Sequence, residues 1–135
     1  MKKIDLPSIV TILNDRIPDL QAVYVYGSFL MEHFNDGSDL DLAFRAENEL
    51  DNVERWETQQ ALAELIMRDT DLLDLNQASI VMQFEVITTG KRLFCSDEDI
   101  IATYETLVYS RYLDFNQVRK PIIESIQQRG SVYGD

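Results

Sequence analysis

Residues 24–44, YVYGSFLMEHFNDGSDLDLAF, decide how this chain is read. The stretch begins as a β-branched and aromatic strand (residues 20–26, LQAVYVY) that stops at Gly27-Ser28. Ten residues later it resumes as DLDLAF, with Asp39, Asp41 and Ala43 alternating against Leu40, Leu42 and Phe44. A strict period of two predicts a half-buried strand, and it puts both carboxylates on one face. Like charges that close repel, so the arrangement costs stability until a cation neutralises it. A hard divalent ion with oxygen ligands, Mg²⁺ above all, suits Asp39 and Asp41. The glycine ending the first strand lets an anion approach the backbone, and Ser28 offers a hydroxyl and an N–H to a phosphate. Together the two halves suggest a nucleoside triphosphate held at Gly27-Ser28, with two metal ions at the Asp pair serving an in-line phosphoryl or nucleotidyl displacement. The run Asp71-Leu72-Leu73-Asp74 can add a third carboxylate, completing the metal site or accepting the proton of the attacking hydroxyl.

Outward from this segment the pattern is α+β. Residues 5–17 place Leu6, Ile9, Val10 and Leu13 on one helical face, with Asp5 as N-cap and Pro7 in the first turn. From about residue 49 to 68, Val53, Trp56, Leu62, Leu65 and Ile66 are spaced for an amphipathic helix. Residues 70–75 read as a short strand, and 91–95 as another after Gly90. Between them, residues 78–89 fit helix or strand equally. Ser96 or Asp97 caps a long C-terminal helix in which Ile101, Tyr104, Val108, Phe115, Val118 and Ile122 recur at threes and fours, with Pro121 kinking it or opening its last segment. The expected fold is a small mixed sheet packed with helices, in a single domain spanning residues 1–135.

Composition narrows the function classes. The 135 residues include 24 Asp or Glu and 12 Lys or Arg, a net charge of -12, which argues against direct grip on a nucleic-acid backbone. One cysteine, Cys95, excludes an internal disulfide and a cysteine-cluster zinc site, and fits a reducing cytoplasm. The apolar run near the start is broken by Asp5 and Pro7, so no signal peptide is expected, and no stretch is long enough to span a membrane. Cys95 reads as a small buried hydrophobe, Tyr104 and Phe115 as helix core, and Phe29 and Phe34 as packing residues. The lone His33 reads as an incidental surface residue. Tyr109 and Tyr112 leave part of the last helix as a partner surface.

The ordered pattern GS-x10-DxD followed by an acidic strand resembles the polymerase-β-type nucleotidyltransferase superfamily. The chain length resembles its minimal nucleotidyltransferase (MNT) branch, and residues 71–97 are similar to the segment after the third strand in MNT antitoxins of HEPN/MNT toxin–antitoxin pairs. The resemblance implies a polymerase-β-like fold and an ATP- and Mg²⁺-dependent enzyme. Such an enzyme transfers AMP to a tyrosine of a partner HEPN toxin, an RNase, in a hetero-oligomer. By motif position it assigns Gly27 and Ser28 to the nucleotide, Asp39 and Asp41 to metal and catalysis, and Asp71 to the third catalytic carboxylate. Asp74, on the opposite face of a regular strand, ranks second. Phe29, Leu30, Met31 and Glu32 depart from the basic or small residues many relatives carry after GS. No Lys or Arg lies between Ser28 and Asp41, so phosphate charge must be met by metal, backbone N–H groups, Arg45 or more distant residues. Two other readings share the sequence: an antitoxin that only masks its toxin, and a nucleotidyltransferase acting on a small molecule or an RNA end.

Overall fold

A computed structural model describes residues 4–32, 34–35 and 37–128, with the side chains beyond Gln117 outside the description. Helix α1 (Leu6–Arg16) starts where expected: the Asp5 carboxylate accepts from Ser8 N, and Pro7 occupies the first turn, where its missing N–H has no helical partner to lose. Strand β1 (Leu20–Tyr26) leads into a 3₁₀ turn, Gly27–Leu30, and then into β2 (Leu40–Ala46). Helix α2 (Asn52–Ile66) is capped by Asp51 and ends at Met67 in the left-handed conformation. Strand β3 (Thr70–Asp74), α3 (Ile80–Thr89), β4 (Lys91–Cys95) and α4 (Glu98–Gln128) follow. The four strands form one mixed sheet in the order β3-β2-β1-β4, with β2 and β3 parallel and the other pairs antiparallel.

Both faces of the sheet are covered. On one face α1 and α2 bury Ile9, Leu13 and Leu62 against Val23, Val25, Leu40, Leu42, Phe44 and Leu72. On the other, α3 and α4 bury Val86, Ile101, Tyr104 and Val108 against Ala22, Tyr24, Tyr26 and Ala43. Strand β2 is therefore not the half-buried strand that its alternation suggests. It is an inner strand whose polar face is also covered, except at Asp41 and Arg45, which stay partly exposed. Tyr24 reaches through the second core to donate its hydroxyl to Glu105 Oε2 at 2.6 Å, and burial, then this bond, push its pKa well up.

Several expectations change. The segment left open between helix and strand is α3, capped by Ser79, whose hydroxyl accepts from Met82 N. In α2, Val53, Trp56 and Leu65 do not face the core; they are 61%, 54% and 43% exposed. The inward positions are Thr58 and Leu62, with the polar pair Arg55 and Gln59 beside them, because α2 lies over the edge strand β3. Gln59 Oε1 accepts from Leu72 N at 2.9 Å and Arg55 donates to Leu72 O at 2.9 Å, so two side chains satisfy backbone groups that an edge strand leaves unpaired. Asp97, rather than Ser96, caps α4 by accepting from Asp99 N and Ile100 N. Tyr104 is core, but Phe115 is exposed, since α4 has by then run past the sheet. The helix continues through Pro121; Val118 and Ile122 fall outside the described side chains. Cys95 is only partly buried, packed at the margin of the second core. Among the described residues no helix is long and apolar enough to cross a membrane.

Candidate active site

The site lies where β1 ends and β2 and β3 begin. Gly27 has φ +71°, a left-handed conformation that side chains disfavour, and it faces Asp41: a Cβ on Gly27 would lie 2.5 Å from Asp41 Oδ2. The glycine thus both turns the chain and leaves room for the carboxylate. Tyr26 pairs with Asp41 across the antiparallel ladder, and Asp41 pairs with Asp71 across the parallel one. Adjacent strands are about 4.8 Å apart, so the two carboxylates start from neighbouring points on one row. Asp39, exposed and immediately before β2, is tied to the glycine turn through its carbonyl, which accepts from Ser28 Oγ at 3.3 Å.

The loop delivering Asp39 is held by its own polar groups and by Arg68. Asn35 N donates to Ser38 Oγ, Gly37 N to Asn35 Oδ1, and Ser38 N to Asn35 O. Arg68 donates to Asn35 O at 2.8 Å and Ser38 O at 2.7 Å while its guanidinium covers the Phe34 ring at 4.6 Å. Phe34 in turn meets Phe29 edge to face at 5.2 Å, and Phe29 packs on the first core. Both phenylalanines therefore brace the loop. His33 lies outside the described residues.

Among the described residues, the charges that act on Asp41 are acidic. Burial raises the Asp41 pKa, and the charges of Asp71 and Asp39 raise it further. Burial likewise lifts the Tyr26 phenol, helped by Asp41, Asp71 and Glu85. Arg45 does not relieve this charge. It sits toward the other end of β2, donating to Asn76 Oδ1 with its guanidinium 4.5 Å from the Tyr104 ring centre. Among the described residues no three acidic, His or Cys side chains already close on one point as a finished metal cage. A half-buried carboxylate pressed by two like charges, with room kept beside it by a glycine, nonetheless has the donor chemistry that suits a hard divalent cation.

Asp74 is separated from this group. It is fully buried, accepting from Leu50 N and Asn76 N at 2.9 Å each, and so fixes the chain on both sides of β3. The sequence motifs did not single out Tyr26, Arg68 or Glu85. Tyr26 was legible in principle, since it shares the period-two face of Tyr24 and precedes Gly27. Arg68 carries no local signal, and Glu85 stands in the segment whose helical character periodicity left undecided. Beside the glycine turn opens a cavity of about 480 Å³, walled by Tyr26, Gly27, Ser28, Leu30, Met31, Glu85 and Thr89.

Comparison with known proteins bears on this geometry. Residues 8–99 match the family described as Polymerase beta, Nucleotidyltransferase. The chain is 35% identical to the protein adenylyltransferase MntA of Shewanella oneidensis, over 93% of this chain and 90% of that protein. It also superimposes on a crystal structure of a toxin–antitoxin with AMP-PNP, with TM-score 0.83 and 34% identity, covering 92% of this chain and 99% of that one. A structure of tri-AMPylated Shewanella oneidensis HEPN toxin in complex with MNT antitoxin matches with TM-score 0.77 and 34% identity, covering 90% of this chain and 95% of that one. A family match over most of the chain, on a fold that sets GS against DxD as the motif requires, leaves one conclusion: this chain is a homologue of the MntA adenylyltransferase and belongs to the polymerase β nucleotidyltransferase family.

Proposed function

We propose that this protein transfers adenylyl groups from ATP to a tyrosine hydroxyl of a HEPN-type RNase toxin and thereby silences it, acting in the cytoplasm as a single domain. The observation that carries this reading is the position of Asp41. It abuts Gly27 on one side and stands in register with Asp71 on the other, so a phosphate-binding turn and an acidic row share one residue. The relatives named above are a protein adenylyltransferase and MNT antitoxins in toxin complexes, which supports the choice of reaction and acceptor.

Backbone N–H groups at Gly27 and Ser28 bind the phosphates, and Ser28 keeps that turn docked on Asp39. Asp39 and Asp41 would hold two Mg²⁺ ions, which when bound neutralise the triphosphate and polarise its oxygens. The tyrosine oxygen attacks the α-phosphorus, the bond to the β-phosphate oxygen breaks, and pyrophosphate leaves. Asp71, exposed on the edge strand where a partner can reach it, takes the phenolic proton on its carboxylate. The surplus acidity of the remaining surface fits a partner whose own surface must be basic to hold RNA.

Co-expression separates catalysis from masking. With Asp39→Asn and Asp41→Asn together, the antitoxin should fold and still co-purify with its toxin but fail to restore growth. Full rescue by that double variant would favour neutralisation by binding alone.

A further inference from the structure

The cavity beside Gly27 and Ser28 has one charged side chain among its described walls, Glu85 of α3. A carboxylate is a poor neighbour for a phosphate site, because like charges repel. Its presence calls for a ligand group that donates hydrogen bonds close to the phosphates. The rest of the wall fits such a group. Thr89, one helical turn after Glu85, lies against the same space, while Leu30 and Met31 form an apolar, partly exposed rim. Glu85 is exposed at the cavity wall, and its charge reaches the Tyr26 phenol alongside those of Asp41 and Asp71.

In a nucleoside triphosphate the sugar follows the phosphates and the base follows the sugar. With phosphates at the glycine turn, the sugar falls beside Glu85 and the base toward Leu30 and Met31. A carboxylate only accepts, and two vicinal hydroxyls offer it two donors, the same complementarity by which acidic residues hold ribose in dinucleotide-binding folds. We propose that Glu85 accepts hydrogen bonds from the ribose hydroxyls of the bound triphosphate and makes the site select ribonucleotides. This rests on the nucleotidyl-transfer reading of the site and adds the residue that discriminates among its substrates.

The test is calorimetric binding of ATP and of 2′,3′-dideoxy-ATP, each with Mg²⁺, to the whole chain. Hydrogen bonds to a charged group are strong, so the wild type should bind ATP roughly 10- to 100-fold more tightly than the dideoxy analogue. Glu85→Ala should bind the two alike, at the weaker affinity. Glu85→Gln, which keeps the shape and one acceptor oxygen, should fall between and covers the case in which the alanine variant fails to fold by circular dichroism. If the wild type binds both nucleotides equally, or if folded Glu85 variants keep the full preference, the assignment is wrong while nucleotide binding stands. If the wild type binds neither, the transferase reading itself fails. A change in ATP-over-GTP preference with the ribose preference intact would place Glu85 against the base and overturn the proposal.

Discussion

Replacing Gly27 by alanine tests the geometry at its tightest point. Two penalties are built in. The φ of +71° costs an L-residue about 1–2 kcal/mol, and the new methyl would stand 2.5 Å from Asp41 Oδ2. The second penalty is relieved when the carboxylate swings away, because Oδ2 is the far end of a side chain. Stability therefore falls by the backbone cost, roughly 1–2 kcal/mol, a loss of about 4–8 °C in melting temperature for a chain of this size. Activity falls much further, since displacing a catalytic group by an ångström costs on the order of 100-fold. Thermal denaturation followed by circular dichroism, and the initial rate of AMP transfer at 25 °C where the variant remains folded, read the two effects separately. Gly37→Ala is the control: Gly37 has no left-handed φ, and a Cβ there meets only Asn35 Oδ1 at 3.3 Å. If Gly27→Ala melts with the wild type and transfers AMP within threefold of its rate, then the glycine is not what makes room for Asp41.

Other outcomes follow from the same structure. Folding raises the Asp41 pKa, so the ionised carboxylate costs the metal-free protein stability at neutral pH, and that cost disappears as pH falls through the folded-state value. Asp41→Asn should accordingly melt higher than wild type in EDTA at pH 7, and the difference should close toward pH 3. A wild-type advantage at pH 7 without divalent ions would contradict it. Asp74→Ala leaves the backbone N–H groups of Leu50 and Asn76 unpaired and should cost about 2–4 kcal/mol in urea denaturation, while Asp71→Ala, at an exposed position, should stay within about 0.5 kcal/mol of wild type yet lose AMP transfer. Trp56→Ala should change stability by less than about 0.5 kcal/mol, because the ring is 54% exposed; a loss above 2 kcal/mol would restore Trp56 to the core.

What the sequence made legible was local. Asp5 and Pro7 announce α1 because an N-cap and a first-turn proline act within one turn, and the DLDLAF alternation announces β2 because side chains alternate within a strand. The Gly27–Asp41 contact was half legible. The motif named both residues, but their proximity depends on the Tyr26-to-Asp41 register, and no local pattern states a register. The partnership of Asp71 with Asp41 is likewise a property of a parallel pair joined through α2. Hydrophobic spacing misplaced the face of α2 because its inward side spends Arg55 and Gln59 on the edge of β3, a task apolar periodicity does not register. In α4 the spacing continues through Phe115 although the sheet it serves has ended. Arg45 looked available to the site by its distance along the chain, yet a strand of seven residues carries it to Tyr104 and Asn76 instead.

The central claim is that the acidic row and the glycine turn perform adenylyl transfer onto a protein. Intact-mass spectrometry of the toxin, incubated with this protein, ATP and Mg²⁺, tests it most directly. Toxin mass should rise in whole adenylate increments with the wild type and remain unchanged with the Asp39→Asn, Asp41→Asn variant. A toxin that is neutralised by the wild type while its mass stays the same would contradict the account.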